Sequence, residues 1–482
     1  MNYWKPDRQS TLPLHKQIEQ HIQSKVISGE WPIGTRLPSQ RQLAISFEVN
    51  RSTITIALDE LKSWGIIEGN KGGGTTVINN TWNVIAAASQ QTIDWQSYVN
   101  AGTHQPNLAT IQKINHAEFI QGIIRTGTGE LGKELLSHRQ ISSILKQAPS
   151  ELFLGYEEPK GNIELRQQIA SYVKQWGIYC SVDSILIVSG AIQALQLIAL
   201  GLLARPSSII AESPSYIHSI QVFQSAGIPI YSVPLDTQGI HLQKLEATVH
   251  LHQPGLLYTI PTFHNPTGRL MSQQRRDDLI RLCQQLRLPI IEDDVYRELW
   301  LDDMPPHPLK ASDFNGNIVY LGSMSKMMSP GLRVGWIIAP EPVIERLADI
   351  KMQTDYGSSN LSQYVASQWF AQGYHQQHVQ WIREQLRIRR DQMLTLLQKY
   401  FADIADWDIP TGGFYIWIRL TVTVPMRQLF QQAIQANILI NPGYLYEAEA
   451  TSHLRLSYAY TSPEHLQTSL VALKKCILSL RR

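Results

Sequence analysis

Hydrophobic residues recur every four positions at Leu14, Ile18, Ile22 and Val26. That spacing lays one apolar stripe along a helix, which the pattern ends before Gly29. Ser39, with Gln42 three places on, reads as a capping box opening a short helix that contains Leu43 and Phe47. Asn50 stands where it can cap a third helix, with Ile54, Leu58 and Leu61 on its inner face. Ile66-Ile67-Glu68 and Thr75-Thr76-Val77-Ile78 flank a Gly-rich turn from Gly69 to Gly74, the pattern of a hairpin. Three helices followed by a basic-tipped hairpin are the layout of a winged helix-turn-helix.

After about residue 160, short β-branched runs alternate with longer segments of helical period. Seven such runs, Ile185–Val188, Ser208–Ala211, Pro229–Val233, Leu256–Ile260, Pro289–Ile291, Ile318–Leu321 and Val334–Ile338, predict a seven-stranded, mostly parallel sheet covered on both faces. From about Pro342 the texture changes to long helices, ending in a small α+β unit with Tyr415–Ile418 and Leu454–Tyr458 as strands. The expected fold is multidomain: a winged helix-turn-helix over 1–78, a linker over 79–110, an α/β body over 111–340 and a small C-terminal subdomain over 341–482. The linker reading rests on a stretch between Lys71 and Lys113 in which Asp94 is the one charged residue. Trp82 and Trp95 within it are candidates for docking on a domain.

Length agrees with that division, since 482 residues at about 150 per domain suggest about three units. With 43% hydrophobic and 17% charged residues, wholesale disorder is excluded. The formal charge of +2 does not by itself mark a nucleic-acid binder, but its distribution is informative. Residues 1–78 hold nine basic and seven acidic groups, leaving 33 of each sign in the rest of the chain. Three scattered cysteines, Cys180, Cys283 and Cys476, fit a reducing cytoplasm and neither a disulfide framework nor a zinc site. The polar stretch Met1 to Leu14 has no apolar signal core. Ser184 to Ala204 is long and uncharged enough to test as a membrane span, yet its Ser, Gly and Gln residues favour a buried strand followed by a helix. A cytoplasmic protein without a membrane segment is expected.

The exposed start of the third helix carries Arg51, Ser52, Thr53 and Thr55, side chains short or basic enough to meet phosphates and base edges in a major groove. Lys71 and Gly72 at the hairpin tip can approach the DNA backbone or the minor groove. Read without context, the same residues also suit a small helical interaction module. The runs Pro13-Leu14-His15-Lys16-Gln17-Ile18 and Gly34-Thr35-Arg36-Leu37-Pro38-Ser39-Gln40-Arg41-Gln42-Leu43-Ala44, with Asn50-Arg51-Ser52-Thr53-Ile54 and the glycine turn, resemble the GntR family of DNA-binding domains over about Leu14–Ile78. The resemblance implies DNA contacts from Arg41 and Arg51. Thr55 replaces a basic residue found in some relatives.

A second set of polar residues falls at predicted strand ends, where open α/β sheets place their ligands. Lys326, in Gly322-Ser323-Met324-Ser325-Lys326, follows a buried strand between methionines, so its amine is partly desolvated and suited to nucleophilic attack. A lone lysine there is more often a loop cap; Ser323 and Arg333 nearby weaken that reading because both suit a phosphate. Asp293 ends an apolar run, with Tyr296 three places on, although a Glu-Asp-Asp run is more often an exposed turn. Asn265 lies in Pro261-Thr262-Phe263-His264-Asn265-Pro266. Ser189-Gly190-Ala191-Ile192-Gln193, between a strand and a helix, offers free backbone N–H groups to an anion. Tyr216 suits ring stacking or a buried structural role equally. Arg455 can grip a substrate carboxylate bidentately, or form an interdomain salt bridge. An amine, a carboxylate for a ring nitrogen, donors for a phenolate and an anion cradle are together the needs of pyridoxal 5'-phosphate.

In order and spacing these residues resemble the fold-type-I aminotransferases from about Tyr156 to the C-terminus, with Tyr156-Glu157-Glu158-Pro159-Lys160-Gly161, Leu165-Arg166 and Thr411-Gly412-Gly413-Phe414-Tyr415-Ile416-Trp417 in the same match. The resemblance implies an internal aldimine at Lys326, a pyridinium contact at Asp293 and an α-carboxylate contact at Arg455. It also implies that Tyr156 reaches the phosphate of a neighbouring subunit, hence a homodimer. Phe119-Ile120-Gln121-Gly122-Ile123-Ile124-Arg125 departs from the Gly-Gly-x-Pro-like segment of many relatives. The two modules in one chain resemble the MocR subfamily of GntR-type regulators. That implies a transcription factor in which an amine or amino acid, bound through the aldimine at Lys326, changes how a dimer presents its DNA-binding heads. Two alternatives remain at this point: a working aminotransferase with an accessory DNA-binding module, and a DNA-binding repressor with a dead scaffold domain.

Overall fold

A computed structural model describes residues 4–27, 30–70, 74–78, 107–149 and 155–481. The chain divides into two compact units, Met1–Gly102 and Thr103–Arg482. Lys71, Gly72, Trp82 and Trp95 lie outside the described residues.

In the first unit, helices α1 (Leu14–Ile27), α2 (Gln40–Phe47) and α3 (Arg51–Ser63) precede an antiparallel pair, β1 (Ile67–Asn70) and β2 (Gly74–Val77). The four-residue stripe is the core: Ile18 and Ile22 are fully buried with Ile54, Leu58 and Leu61. Ser39 forms the expected capping box, its N–H donating to Gln42 Oε1 at 2.9 Å while its hydroxyl accepts from the Gln42 N–H at 3.3 Å. Asn50 occupies the start of α3 but does not cap it with its side chain. The exposed amide makes no bond to the helix, and the Thr53 N–H takes the Asn50 carbonyl at 3.0 Å instead. Arg36 pairs with Thr76, adding an antiparallel bridge to the hairpin.

The second unit is organised by a sheet of eight strands. In chain order they are β4 (Ile185–Val188), β5 (Ile209–Ser213), β6 (Ile230–Asp236), β7 (Gly239–Ile240), β8 (Leu256–Thr259), β9 (Ile290–Asp293), β10 (Ile318–Ser323) and β11 (Gly335–Ile338). Their order across the sheet is β4-β11-β10-β9-β8-β5-β6-β7. From β10 through β9, β8 and β5 to β6 all pairings are parallel, whereas β11 runs antiparallel to both its neighbours. All seven expected runs form strands. The eighth, β7, is a two-residue return from β6 with too few residues to show a hydrophobic period. In β4, Leu186 and Val188 pack into one hydrophobic cluster while Ile185 and Ile187 pack into another. Alternate side chains of a strand enter opposite faces, so a sheet covered on both sides needs continuous apolar runs.

A four-stranded antiparallel sheet, ordered β12 (Ala405–Trp407), β13 (Tyr415–Leu420), β16 (His453–Ser457) and β15 (Asn441–Pro442), forms the C-terminal part. β3 (Ile124–Arg125) pairs with β14 (Ile438–Leu439), so the segment ahead of the large sheet is stitched to the C-terminal part. A helix, Ala109–Ala117, begins inside the stretch expected as linker. Among the described residues no helix is long and apolar enough to cross a membrane. Ser184 to Ala204 contains β4 and the helix Ala191–Gly201.

Removing one cap tests the local argument for α2. Ser39→Ala is expected to lower helix stability by about 1 kcal/mol. The readout is faster amide exchange over Gln40–Phe47 in the full chain, and unchanged exchange there contradicts the capping role.

Candidate cofactor site and DNA-binding surface

In the first unit the described lysines are already paired. Lys5 meets Glu48, Lys16 meets Glu19 and Glu60, Lys25 meets Glu30, and Lys62 meets Asp59. Arg36, Arg41 and Arg51 are exposed and form no ion pair among the described residues. Arg41 is on α2 and Arg51 opens α3, where Ser52 is exposed and Thr53 half-buried. Thr55 is less free than its sequence position implies. Its hydroxyl donates to the Arg51 carbonyl at 3.0 Å and lies 3.4 Å from Gln40 Oε1, which also accepts from Arg51 Nε at 3.4 Å. Arg36, not among the expected contacts, lies at the hairpin: a Cβ built on Gly74 would stand 2.7 Å from its Nε. Its sequence motif revealed the charge, but only the pairing with Thr76 puts it on the wing.

In the second unit, the C-terminal ends of β4, β9 and β10 and the turns after β5 and β8 converge on a cavity of about 500 Å³. Asp293, the last residue of β9, is 3% exposed. Tyr258 donates its hydroxyl to Asp293 Oδ2 at 2.6 Å, while Oδ1 is buried with no partner. Burial pushes the carboxyl pKa up to about 6, against the Tyr258 hydrogen bond, the nearby Val295 backbone N–H and the charge of Lys326. A buried carboxylate with one free oxygen calls for a cationic N–H, as a protonated pyridine supplies. The exposed-turn reading of this acidic run is excluded, because Glu292, Asp293 and Asp294 are all buried.

Lys326 closes a 3-10 turn after β10 and is half-buried. Its amine donates to the Gly129 carbonyl at 2.5 Å and stands 5.9 Å from the centre of the Tyr296 ring. Asn265 donates to the Tyr296 hydroxyl at 3.3 Å, and that hydroxyl lies 3.0 Å from the hydroxyl of Tyr415. Arg455 forms no ion pair among the described residues, so its salt-bridge reading fails. Instead it donates to Asn265 Oδ1 at 2.9 Å and to the Gly127 carbonyl at 2.7 Å, with Nε buried and unpartnered. Its guanidinium lies 4.2 Å from the Tyr415 ring centre and 4.9 Å from that of Tyr446.

The anion cradle is built on Gly190, at φ +87° before the helix Ala191–Gly201. Ala191 and Ile192 line the cavity. Arg333, itself at φ +54°, donates to the Ser189 carbonyl at 2.7 Å, and a Cβ on Gly190 would stand 2.5 Å from its Nη2. Gly190 therefore serves both the backbone turn and the approach of the arginine. Ser323 Oγ bonds Ser325 Oγ at 3.0 Å, which brings Ser325 into the cavity wall as well. Tyr216 lines the cavity, and its N–H donates to the Asn265 carbonyl at 3.0 Å. Tyr156 does not line it: 83% exposed, it stacks edge-on against Tyr356 with ring centres 4.8 Å apart. Sequence reasoning missed Tyr258, Asn441 and the Thr128–Glu130 stretch. Only Tyr258 left a local trace, as a tyrosine inside a buried strand whose hydroxyl must find a partner.

The unpartnered Asp293 oxygen, the Cβ-free turn at Gly190 and the Asn265–Tyr296 pair fit pyridoxal 5'-phosphate. An α/β body with these groups at one sheet edge, together with a winged helix, defines a DNA-binding regulator carrying an aminotransferase-type domain. The model of the family described as Aminotransferase class I and II matches residues 127–473, and that of Bacterial regulatory proteins, gntR family matches residues 14–77. "Uncharacterized HTH-type transcriptional regulator YisV" of Bacillus subtilis (strain 168) is 50% identical over 473 residues, 98% of this chain and 97% of that protein. "HTH-type transcriptional regulator NorG" of Staphylococcus aureus (strain N315) is 34% identical, over 90% of this chain and 98% of its own. The multiple substrate aminotransferase of Thermococcus profundus superposes with a TM-score of 0.74 at 27% identity, over 80% of this chain and 99% of its own. LysN, the alpha-aminoadipate aminotransferase of Thermus thermophilus solved with N-(5'-phosphopyridoxyl)-L-leucine, gives 0.73 at 27% identity, over the same shares. The chain belongs to the GntR-type HTH transcriptional regulators with a class I and II aminotransferase domain, the MocR subfamily.

Two substitutions test the site. Gly190→Ala is expected to weaken cofactor binding about tenfold or more, because it strains a positive φ and displaces Arg333. Absorbance titration of the cofactor-free protein measures this, and unchanged affinity contradicts the cradle. Asp293 has a folded pKa of about 6 against an ordinary 3.8, so the cofactor-free protein loses stability as pH rises through that window. Asp293→Asn should therefore stabilise the cofactor-free protein at pH 7 by roughly 1–3 kcal/mol, a difference narrowing toward pH 4.5, while lowering cofactor affinity. Equal thermal midpoints at pH 7 would sink the argument.

Proposed function

We propose that this DNA-binding regulator senses a free amine or amino acid at its pyridoxal phosphate site and converts that binding into a change in DNA affinity. The observation that carries the reading is one cavity in which Lys326, Asp293 and Arg455 converge, in a chain whose winged helix also presents exposed Arg36, Arg41 and Arg51 without ion pairs among the described residues. The cofactor is pyridoxal phosphate; when bound, it supplies an aldehyde for amines and an electron-withdrawing ring.

Each residue then has a task. Lys326 supplies the amine that holds the cofactor, Asp293 keeps the ring nitrogen protonated, and Asn265 and Tyr296 donate to the ring's phenolic oxygen. Gly190, Ala191, Ile192, Ser323 and Arg333 hold the phosphate, Tyr216 covers the ring, and Arg455 orients a ligand carboxylate. Arg41, Arg51, Ser52, Thr53, Thr55, Lys71 and Gly72 form the DNA-reading set. A homodimer is part of the reading. Tyr156 is exposed in its own chain and available to a neighbour's phosphate, and two heads explain binding without bulk positive charge. Such a reader works in the cytoplasm, beside its DNA.

Lys326 is bonded to Gly129, in the segment that β3 stitches to the C-terminal part. A ligand amine that displaced Lys326 would alter this contact, which would give a physical route from ligand to domain arrangement. The presence of Lys326, Asn265, Tyr296 and Arg455 together also favours a second reading, half-transamination. Sustained turnover with a 2-oxo acid, without any effect of amines on DNA binding, would select it.

The test pairs a visible absorption titration with DNA binding of the same preparation. The expected result is a cofactor band in the parent, absent in Lys326→Ala, and a shift in DNA affinity of about fivefold or more with the amine that moves the band. Identical DNA affinity with and without cofactor, across all amines, defeats the reading. Independently, Arg51→Ala should weaken DNA binding and reduce the salt slope by about one if it contacts a phosphate.

A further inference from the structure

The wall of the cavity formed by Ile114, Glu118, Thr128, Glu130 and Asn441 has a chemistry different from the cofactor end. Glu118 Oε1 accepts from Thr128 Oγ1 at 2.9 Å. Neither Glu118 nor Glu130 forms an ion pair among the described residues. Glu118 is moreover the residue that ends the helix Ala109–Ala117. The carbonyl end of a helix favours cations, so a carboxylate there is unfavourable without a compensating charge.

An independent observation points the same way. Asn441 is 6% exposed and lines the same cavity, yet its Oδ1 has no hydrogen-bond partner. Its Nδ2 donates to the Tyr446 hydroxyl at 3.3 Å. A Cβ on Gly127 would collide with that Oδ1, which places the amide against the same short stretch that carries Thr128 and Glu130. The wall thus offers two carboxylates and a buried carbonyl oxygen, all acceptors. Arg125 close by in sequence does not neutralise them by ion pairing; its guanidinium lies over the Tyr460 ring, 4.7 Å from its centre. A buried acceptor beside carboxylates that form no ion pair among the described residues suits a ligand rich in N–H donors and positively charged.

We infer that the effector is a basic amino acid, with its carboxylate at Arg455 and a second, distal cation held by Glu118, Glu130 and Asn441. The inference rests on the reading of the cavity as an amino-acid sensor. It adds a specificity wall that the cofactor residues do not supply.

The test uses the full-length holoprotein and follows the cofactor's visible band during titration with L-ornithine, L-lysine, L-norleucine and L-glutamate. These share the α-amino acid end and differ in the distal group. One of the two basic amino acids is expected to half-saturate at a concentration about tenfold or more below norleucine, with glutamate weakest. In the Glu118→Gln/Glu130→Gln double variant that preference should disappear, while the norleucine response remains and reports an intact site. Norleucine or glutamate binding as tightly as both basic amino acids overturns the inference and leaves the sensor reading standing. So does a double variant that keeps the preference. A band that no amino acid moves overturns both.

Discussion

The second unit depends on a carboxylate kept in its interior with one oxygen bonded and the other free. Asp293 is the last residue of a strand whose preceding side chains are all buried, so moving it out would dismantle the centre of the sheet. Tyr258, on the neighbouring strand, holds one oxygen and leaves the other buried without a partner. The fold thus maintains a group that is unfavourable until a cation meets it. The elements around it, the Lys326 turn, the Asn265 loop and the Gly190 turn, are all products of parallel strands ending on one edge.

A second tie crosses from that edge to the rest of the unit. Within a few residues, Thr126 bonds the Leu439 carbonyl through both its N–H and its hydroxyl, Gly127 accepts from Arg455, and Gly129 accepts from Lys326. One short segment therefore touches Lys326, Arg455 and the C-terminal part. It carries two glycines, Gly127 and Gly129, where a Cβ would strike Asn441 and Tyr415 respectively. Backbone packed this closely does not yield gradually; it moves with its partners or not at all. The Lys326 contact is thus made to a segment that is itself tied to Arg455 and to the C-terminal part.

These features also explain which parts were readable from sequence. Strands buried on both faces announce themselves as continuous apolar runs, and the four-residue stripe of α1 is the core itself. Gly-Ile at β7 is too short to carry a period, and Asn50 has the right residue type at a helix start yet leaves its cap bond unmade. Lys326, Asp293 and Arg455 were legible because each sits in an ordered run of family-like residues. Thr128-Gly129-Glu130 has no such pattern. Its importance comes from contacts more than 190 residues away in the chain, such as Lys326 to Gly129 with a separation of 197. Long-range partners of this kind leave no local spacing to read.

The charge of the first unit follows the same logic of partners over totals. Nine basic groups against seven acidic ones over residues 1–78 is a small excess. Pairing removes the described lysines from consideration and leaves Arg8, Arg36, Arg41 and Arg51 exposed and without an ion pair among the described residues, Arg8 being bonded to the Glu48 carbonyl. Guanidinium groups of this kind suit phosphates and guanine edges. With so few contacts per head, each head alone binds DNA modestly and with a shallow salt dependence. In the proposed homodimer, affinity would depend on two heads engaging together, with the gain from the second engagement set by their effective concentration. On the proposed function such a dimer would not need to reshape its DNA-binding surface; a ligand that altered how the two heads are presented would be enough.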